Sequence, residues 1–483
     1  MEGISAIFNI AKGALQANSQ AMEVVSHNLA NVNTPGYSRQ TALLEAETPL
    51  TQDFLKFGLG VRVTSVVQAF DRYTTKTIHQ DTSSLSAYDA KASVFSYVEE
   101  LFNEAGGTGL EKAMDEFWTS WQDVTNNPGG IPERTALLEK ADQLSDRFNF
   151  LSQELYQLGQ NLNANLGSAL GEVNTLTKRI ADLNGKILAA ESSQTTANDL
   201  RDERNTMLEK LSGYLGITYF ENENGAITVL SSQGILLVNG TQSWEFSQSG
   251  NSIYWNGIES DISNRLVEGK IGGWLDLRDE ILPQYRANLD ELAGTLISEV
   301  NGLHAAGHTL SGATGMNFFA DFLASPEVPN AGDYTGAAAY IKLSSDVRGT
   351  PANIAAGGLT GDPGDNEKAL EILGLQTDGT IQIRKWAYAD RGNTVTSSLQ
   401  TETLDDYYRT QVGEIAILTD DSNQNRDFTQ TLLDRLGEIR DSVSGVNMDE
   451  ELTNLLKFQR AHEAAAKMVL VADEMLKDIL GMR

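Results

Sequence analysis

The stretch from residue 132 to about 187 constrains the fold more than any other. Apolar residues recur at Leu137, Ala141, Leu144, Phe148, Leu151, Leu155, Leu158, Leu162, Leu166, Ala169, Val173, Leu176, Ile180, Leu183 and Ile187. This three-and-four spacing puts them on one face of a helix. Pro132 stands at the start, where a missing amide hydrogen is tolerated. One four-four step, Leu158 to Leu162 to Leu166, keeps the stripe on a nearly straight helix. At 1.5 Å per residue, roughly 55 helical residues reach about 80 Å. A rod of that length needs long helical neighbours, so the expected class is mainly α, a long antiparallel helical bundle.

The remaining chain supplies the neighbours. Residues 38–47 and 60–69 read as extended and form a short hairpin. A helical pattern runs from Asp71 to about Glu104 and stops at Gly106-Gly107. Another covers 110–125 with Trp118 and Trp121, and a third begins at Asn198. Between 217 and 262 the pattern changes to short strands separated by Asn224-Gly225, Asn239-Gly240 and Gly250-Asn251, the signature of a small inserted β domain. Helix resumes over 266–303. Residues 304–380, rich in Gly, Pro and Ala, are expected to be irregular, with a strand at 341–343 and a short helix at 366–373. A helix from about 397 to 443 gives the middle of the chain a second long antiparallel partner. The long-helix body is thus assigned to 34–216 and 263–448.

The two ends have a different character. Ile4, Ile7, Phe8, Ala11, Ala14, Leu15, Ala21, Met22, Val25 and Leu29 share one helical face. That helix cannot pass Asn31, Asn33, Thr34, Pro35, Gly36 and Tyr37. Proline restricts the residue before it, and Pro-Gly suits the centre of a type II turn. At the far end, Asn447 and Asp449–Glu451 offer a cap and first-turn carboxylates. They open a helix striped by Leu455, Phe458, Ala461, His462, Ala465, Met468, Val469, Ala472, Met475, Leu476 and Ile479. Residues 1–33 and 449–483 are therefore expected to form an inner terminal helix pair, its small residues allowing close approach. Pattern alone leaves two outcomes open: the pair completes an intramolecular bundle, or it offers its remaining apolar surface to other copies.

Composition excludes several classes of function. With 66 acidic against 36 basic residues the net charge is −30, which opposes nucleic-acid phosphates and anionic membrane surfaces. Residues 1–33 carry −1 and residues 449–483 carry −2, so nearly all of the charge lies between the ends. There is no cysteine, hence no disulfide or thiolate metal site. No run of about 18 apolar residues and no signal-peptide pattern occurs, so neither membrane insertion nor a cleavable export signal is expected. Walker, Gly-x-Ser-x-Gly and dinucleotide motifs are missing, and no catalytic, cofactor-binding or metal residue is assigned. His304 and His308 are four apart but lack the glutamate base of a zincin. The alternative function is a secreted enzyme or metal-binding protein using the 304–380 region.

The N-terminal helix ending in Asn33-Thr34-Pro35-Gly36-Tyr37-Ser38-Arg39-Gln40 resembles the bacterial flagellar axial proteins of rod, hook and hook–filament junction. So do Val446–Leu452, Leu455–Ala461, Ala464–Lys467 and Ala472–Leu476 at the other end, and Asn198–Arg204 and Ser344–Arg348 within the chain. The resemblance implies a structural, non-enzymatic protein at the hook–filament junction, needed for filament assembly, self-assembling and without cofactor. It also implies export through the flagellar type III apparatus. The implied neighbours are copies of itself, the hook protein and hook-associated protein 3. A cytoplasmic export chaperone would cover the C-terminal helix, and residues 31–37 would act as a hinge.

Overall fold

The computed structural model describes residues 2–52, 55–102, 109–191, 196–321, 334–359 and 362–481. In chain order these form α1 (Glu2–Ala30), β1 (Gln40–Ala46), β2 (Leu50–Gln52), β3 (Leu55–Phe57), β4 (Val61–Gln68), α2 (Arg72–Phe102), α3 (Leu110–Asn126), α4 (Ile131–Glu191) and α5 (Asn198–Tyr214). The strands β5 (Ile217–Glu221), β6 (Ile227–Ser231), β7 (Leu236–Asn239), β8 (Gln242–Ser243), β9 (Phe246–Ser249) and β10 (Ser252–Trp255) follow. Then come α6 (Gly269–Asp276), α7 (Leu282–Ala306), α8 (Ala337–Tyr340), α9 (Glu367–Gly374), β11 (Gln382–Ala389), β12 (Thr394–Thr401), α10 (Leu404–Ser444) and α11 (Met448–Gly481). The architecture is mainly α, with long helices at both ends and small β elements between them.

The 61 residues of α4 make a rod of about 90 Å. Its apolar stripe is buried, as the spacing predicts, but against two different cores. From Leu137 to Leu162 it packs with parts of α2, α3, α7, α9 and the start of α10. The centre of this core is aromatic: Phe117, Trp118, Trp121, Phe318 and Phe319 lie with ring centroids 4.9–6.4 Å apart. From Leu166 onward the stripe faces α5, α6 and the strands β5–β10. The four-four step in the sequence falls at this changeover.

Strands β5 to β8 form an antiparallel sheet in sequential order, and β9 pairs with β10. Their inward residues Ile217, Ile227, Val229, Leu237, Phe246 and Ile253 share one core with the helices. The described residues of 304–357 have little regular structure, yet buried polar anchors hold them. The Arg134 guanidinium donates to the carbonyls of Pro128, Pro351 and Ile354. Fully buried His304 bridges the Met316 carbonyl and the Ala355 amide.

One expectation about the last third needs correction. Residues 397–401 are not helical: β11 and β12 form an antiparallel hairpin whose tip, Asp390-Arg391-Gly392, has positive φ throughout. The helix begins only at Leu404, where the Thr403 hydroxyl accepts the Asp406 amide at 3.0 Å. Helix α10 lies along the long-helix body. It runs along α2, because the α4 stripe is already covered, and its buried seam is largely small or polar: Gln411, Thr419, Ser422 and Thr429 beside Ile415.

Candidate assembly site at the joined chain ends

Helices α1 and α11 pack along each other, and Asn28, near the end of one, meets Glu451, near the start of the other, so the pair is antiparallel. The buried seam is narrow. On α1 it holds Ala11, Ala21 and Val25 from the expected face, together with Ala17, which the stripe reading passed over. On α11 the buried apolar residues are Ala465 and Ala472. Ala14, Leu15, Met22 and Leu29, and opposite them Leu455, Phe458, His462, Val469 and Leu476, are half-buried. Ala461 is exposed. The side chains of Ile4 and Ile479 lie outside the described residues.

Many bulky residues face outward. Ile7 and Phe8 are 37% and 40% exposed, Met475 44%, Leu456 60% and Leu470 64%. Met448, Leu452, Met468 and Val471 add to this surface. Alanines bring the two backbones together, and the larger apolar groups are left beyond the pair. Exposed apolar side chains in this number on one helix pair mark a place where protein binds protein.

The end of α1 is closed by its own asparagines. Asn31 Nδ2 donates to the His27 carbonyl at 3.0 Å, and Thr34 Oγ1 donates to Asn31 Oδ1 at 3.1 Å. The Tyr37 amide then donates to the Thr34 carbonyl at 3.2 Å across Pro35 and Gly36. With Gly36 at φ +80° this is the expected type II turn. Asn33, Thr34 and Pro35 are exposed, whereas Tyr37 turns inward. Gly36 also sits against α5, where a β-carbon would lie 2.5 Å from Thr206 Oγ1.

Behind the turn lies a buried polar cluster that joins α1, β1, α5, α10 and α11. Asn28 uses its whole amide group. Nδ2 donates to the Gln40 carbonyl (2.8 Å) and Glu451 Oε2 (3.1 Å), while Oδ1 accepts from the Tyr37 hydroxyl (2.8 Å) and the Gln40 amide (2.9 Å). Burial, with the carboxylates of Asp199, Asp202 and Glu451 nearby, pushes the Tyr37 phenol far up and keeps it a donor. Arg39 Nε donates to Glu451 Oε1 at 2.9 Å, Nη1 to Glu450 at 3.0 Å, and its amide to the Ser444 carbonyl at 2.8 Å. The Ser38 amide and hydroxyl both donate to Asp202, at 2.9 and 2.8 Å, and Gln40 Nε2 donates to Asp199 at 2.7 Å. Desolvation raises the Asp202 carboxyl to about 6 despite these donors. A cavity of about 640 Å³ opens beside the turn, walled by residues 31–39, Thr75 and His79 of α2, α5, and residues 440–442 and 444–447.

Three family models match the chain. The flagellar hook-associated protein FlgK helical domain covers residues 95–319, the flagella basal body rod protein model 8–37, and the flagellar basal body rod FlgEFG protein C-terminal model 441–482. Flagellar hook-associated protein 1 of Bacillus subtilis is 28% identical over 98% of this chain and 97% of its own length. The protein of the same name from Salmonella typhimurium is 24% identical over 99% and 100%. Over nearly its whole length the chain is similar to flagellar hook-associated protein 1. In fold it is similar to the flagellar hook junction protein FlgK from Burkholderia pseudomallei, with a TM-score of 0.63 at 17% identity over 76% of this chain and all of that one.

The rod-protein matches fall on the two chain ends and the helical-domain match on the body. The polar cluster between them was missed in the sequence, although two of its members were placed to be seen. Asn28 continues the face of Ala21 and Val25, and Glu451 precedes Leu455, Phe458 and His462 by the same four-three steps. A polar residue on an apolar face signals a buried polar contact.

The histidines of the alternative reading do not converge on a metal site. Both ring nitrogens of His304 are occupied by backbone groups, and burial pushes it down to about 4. The backbone of His308 forms a bridge to Gly357. Among the described residues, no three His, Asp or Glu side chains group to hold a metal ion.

Proposed function

We propose that this chain is a structural axial protein of the bacterial flagellum that forms the junction between hook and filament and is required for filament assembly. The observation that carries the reading is the construction of the terminal pair. Alanines fill its seam, and Ile7, Phe8, Leu456, Leu470 and their neighbours are left for other chains to cover. Ile4, Ile7, Phe8, Ala11, Ala14, Leu15, Ala21, Met22, Val25 and Leu29, with Leu455, Phe458, His462, Ala465, Val469, Ala472, Met475, Leu476 and Ile479, form the assembly element. Its neighbours are further copies of the chain, the hook protein on one side and hook-associated protein 3 on the other.

Residues 31–37 act as the joint between this element and the body, and the open cavity beside the turn gives the joint room to change angle. Export proceeds without a cleavable signal, with a cytoplasmic chaperone shielding α11, because an isolated amphipathic helix is marginal in water and its apolar face invites aggregation. The combined substitution Leu456→Ser, Leu470→Ser tests the reading. Both side chains are largely exposed, so the folded chain should melt like the parent while cells lose filaments. Filaments of normal number and length from that variant would remove these helices from the assembly surface.

A further inference from the structure

We infer that the buried Asn28–Arg39–Glu451 cluster sets the axial register of α1 against α11. Alanine seams are shallow. Moving one helix past the other by a turn, about 5.4 Å, exchanges one small side chain for another and changes little packing. On α11 an alanine recurs one turn before Ala465, at Ala461, and two turns after it, at Ala472. Methyl groups therefore hold the pair together without choosing its alignment.

The carboxylate of Glu451 makes the choice. It is 2% exposed, and both oxygens are answered: Oε2 by Asn28 on α1, Oε1 by Arg39 beyond the turn. A one-turn slide of α11 leaves this charge buried without a partner and takes one of the four hydrogen bonds from the Asn28 amide, the other three staying on Gln40 and Tyr37. A buried polar pairing of this kind adds little net stability but penalises every alignment that breaks it. Each partner is itself held to something else. Asn28 is tied to Gln40 and Tyr37, and Arg39 to Ser444 at the end of α10, so the register of the pair is referenced to the body. The inference concerns contacts within one chain and does not depend on the assembly reading.

The chain has no cysteine, so engineered thiols report alone. With Asn28 level with Glu451 and equal rise along both helices, Ala14 lies level with Ala465, and Val469 is displaced by about one turn. Disulfide formation in the purified full-length chain is compared for Ala14→Cys with Ala465→Cys and for Ala14→Cys with Val469→Cys. Each pair is tested in the otherwise unchanged chain and with Arg39→Met plus Glu451→Leu, which replaces the ion pair by apolar groups. The in-register pair should oxidise at least about tenfold faster in the unchanged chain, and the ratio should fall to about threefold or less in the apolar variant. A ratio that stays at the parent value in the variant overturns the inference. So does failure of both pairs to form in a variant with parental helix content, because the cluster would then hold the helices together rather than align them. Filament growth is scored separately, since it reads assembly and not register.

Discussion

Gly36 carries two independent demands at once. Its φ of +80° suits a residue without a β-carbon, and the space a β-carbon needs is taken by Thr206 Oγ1. Gly36→Ala should lower the unfolding free energy by about 1–2 kcal/mol, read by urea titration. Adding Thr206→Ala should recover only the steric part. Buried titrating groups set pH slopes of opposite sign. His79 and His304 are both pushed down from 6.5 to about 4 by burial, so the unfolded chain takes up protons that the folded chain refuses. Their share of stability is lost as pH falls from 6.5 to 4. Asp202 is raised from 3.8 to about 6, so the folded chain binds its proton first, and its contribution grows as pH falls through 6. Asp202→Asn removes that gain. Between pH 7 and pH 5 the variant should lose stability more steeply than the parent, by about 1 kcal/mol, measured by urea titration at each pH. Parallel pH profiles would mean that Asp202 is ionised throughout.

At the scale of elements, what was legible in the sequence was periodicity, and what escaped it was partnership. The α4 stripe fixes a helix whatever lies beside it, so its length could be read to within a few residues of Ile131–Glu191. Its neighbours could not, since an apolar face does not name the face that covers it. The helix 404–444 could be placed beside the middle of the chain, but α2 could not be named as its neighbour, for that reason. The hairpin β11–β12 was overlooked because its outer strand is exposed along almost its whole length, leaving no alternation of apolar and polar residues to read. The terminal helices illustrate the same limit on a finer scale. Their stripes were visible, but the choice of which stripe residues enter the seam follows from how closely the backbones approach, and alanine decides that. Ala465→Leu should therefore force α1 and α11 apart at a cost of about 1–3 kcal/mol confined to the pair. Hydrogen exchange should quicken in α1 and α11 and stay unchanged in α4 and α7. Faster exchange in the body would show that the seam is coupled to the cores.

Considered whole, the molecule divides its apolar burial unevenly. Among the described residues, the aromatic core around Phe117 and Trp121 and the core shared by α4, α5, α6 and the β5–β10 strands contain none from α1 or α11. The ends are joined to the rest by the packing of α1 on β1 and β4 and by the polar contacts of Ser38, Arg39 and Gln40. Polar contacts of that kind contribute only about 1 kcal/mol each, whereas a buried leucine or phenylalanine contributes about 2–3 kcal/mol, so the stability of the body resides in the body. Deleting residues 449–483 consequently exposes the α1 seam and the Arg39 guanidinium but leaves both cores filled. The truncated chain should keep the main thermal transition of the parent within a few degrees by calorimetry, with protease sensitivity rising only in the first forty or so residues. Cells making only the truncated chain should lack filaments. A large drop in the main transition would mean that the terminal pair holds the body together. Normal filaments would mean that α11 is dispensable for assembly, and the division of labour between ends and middle would then have to be given up.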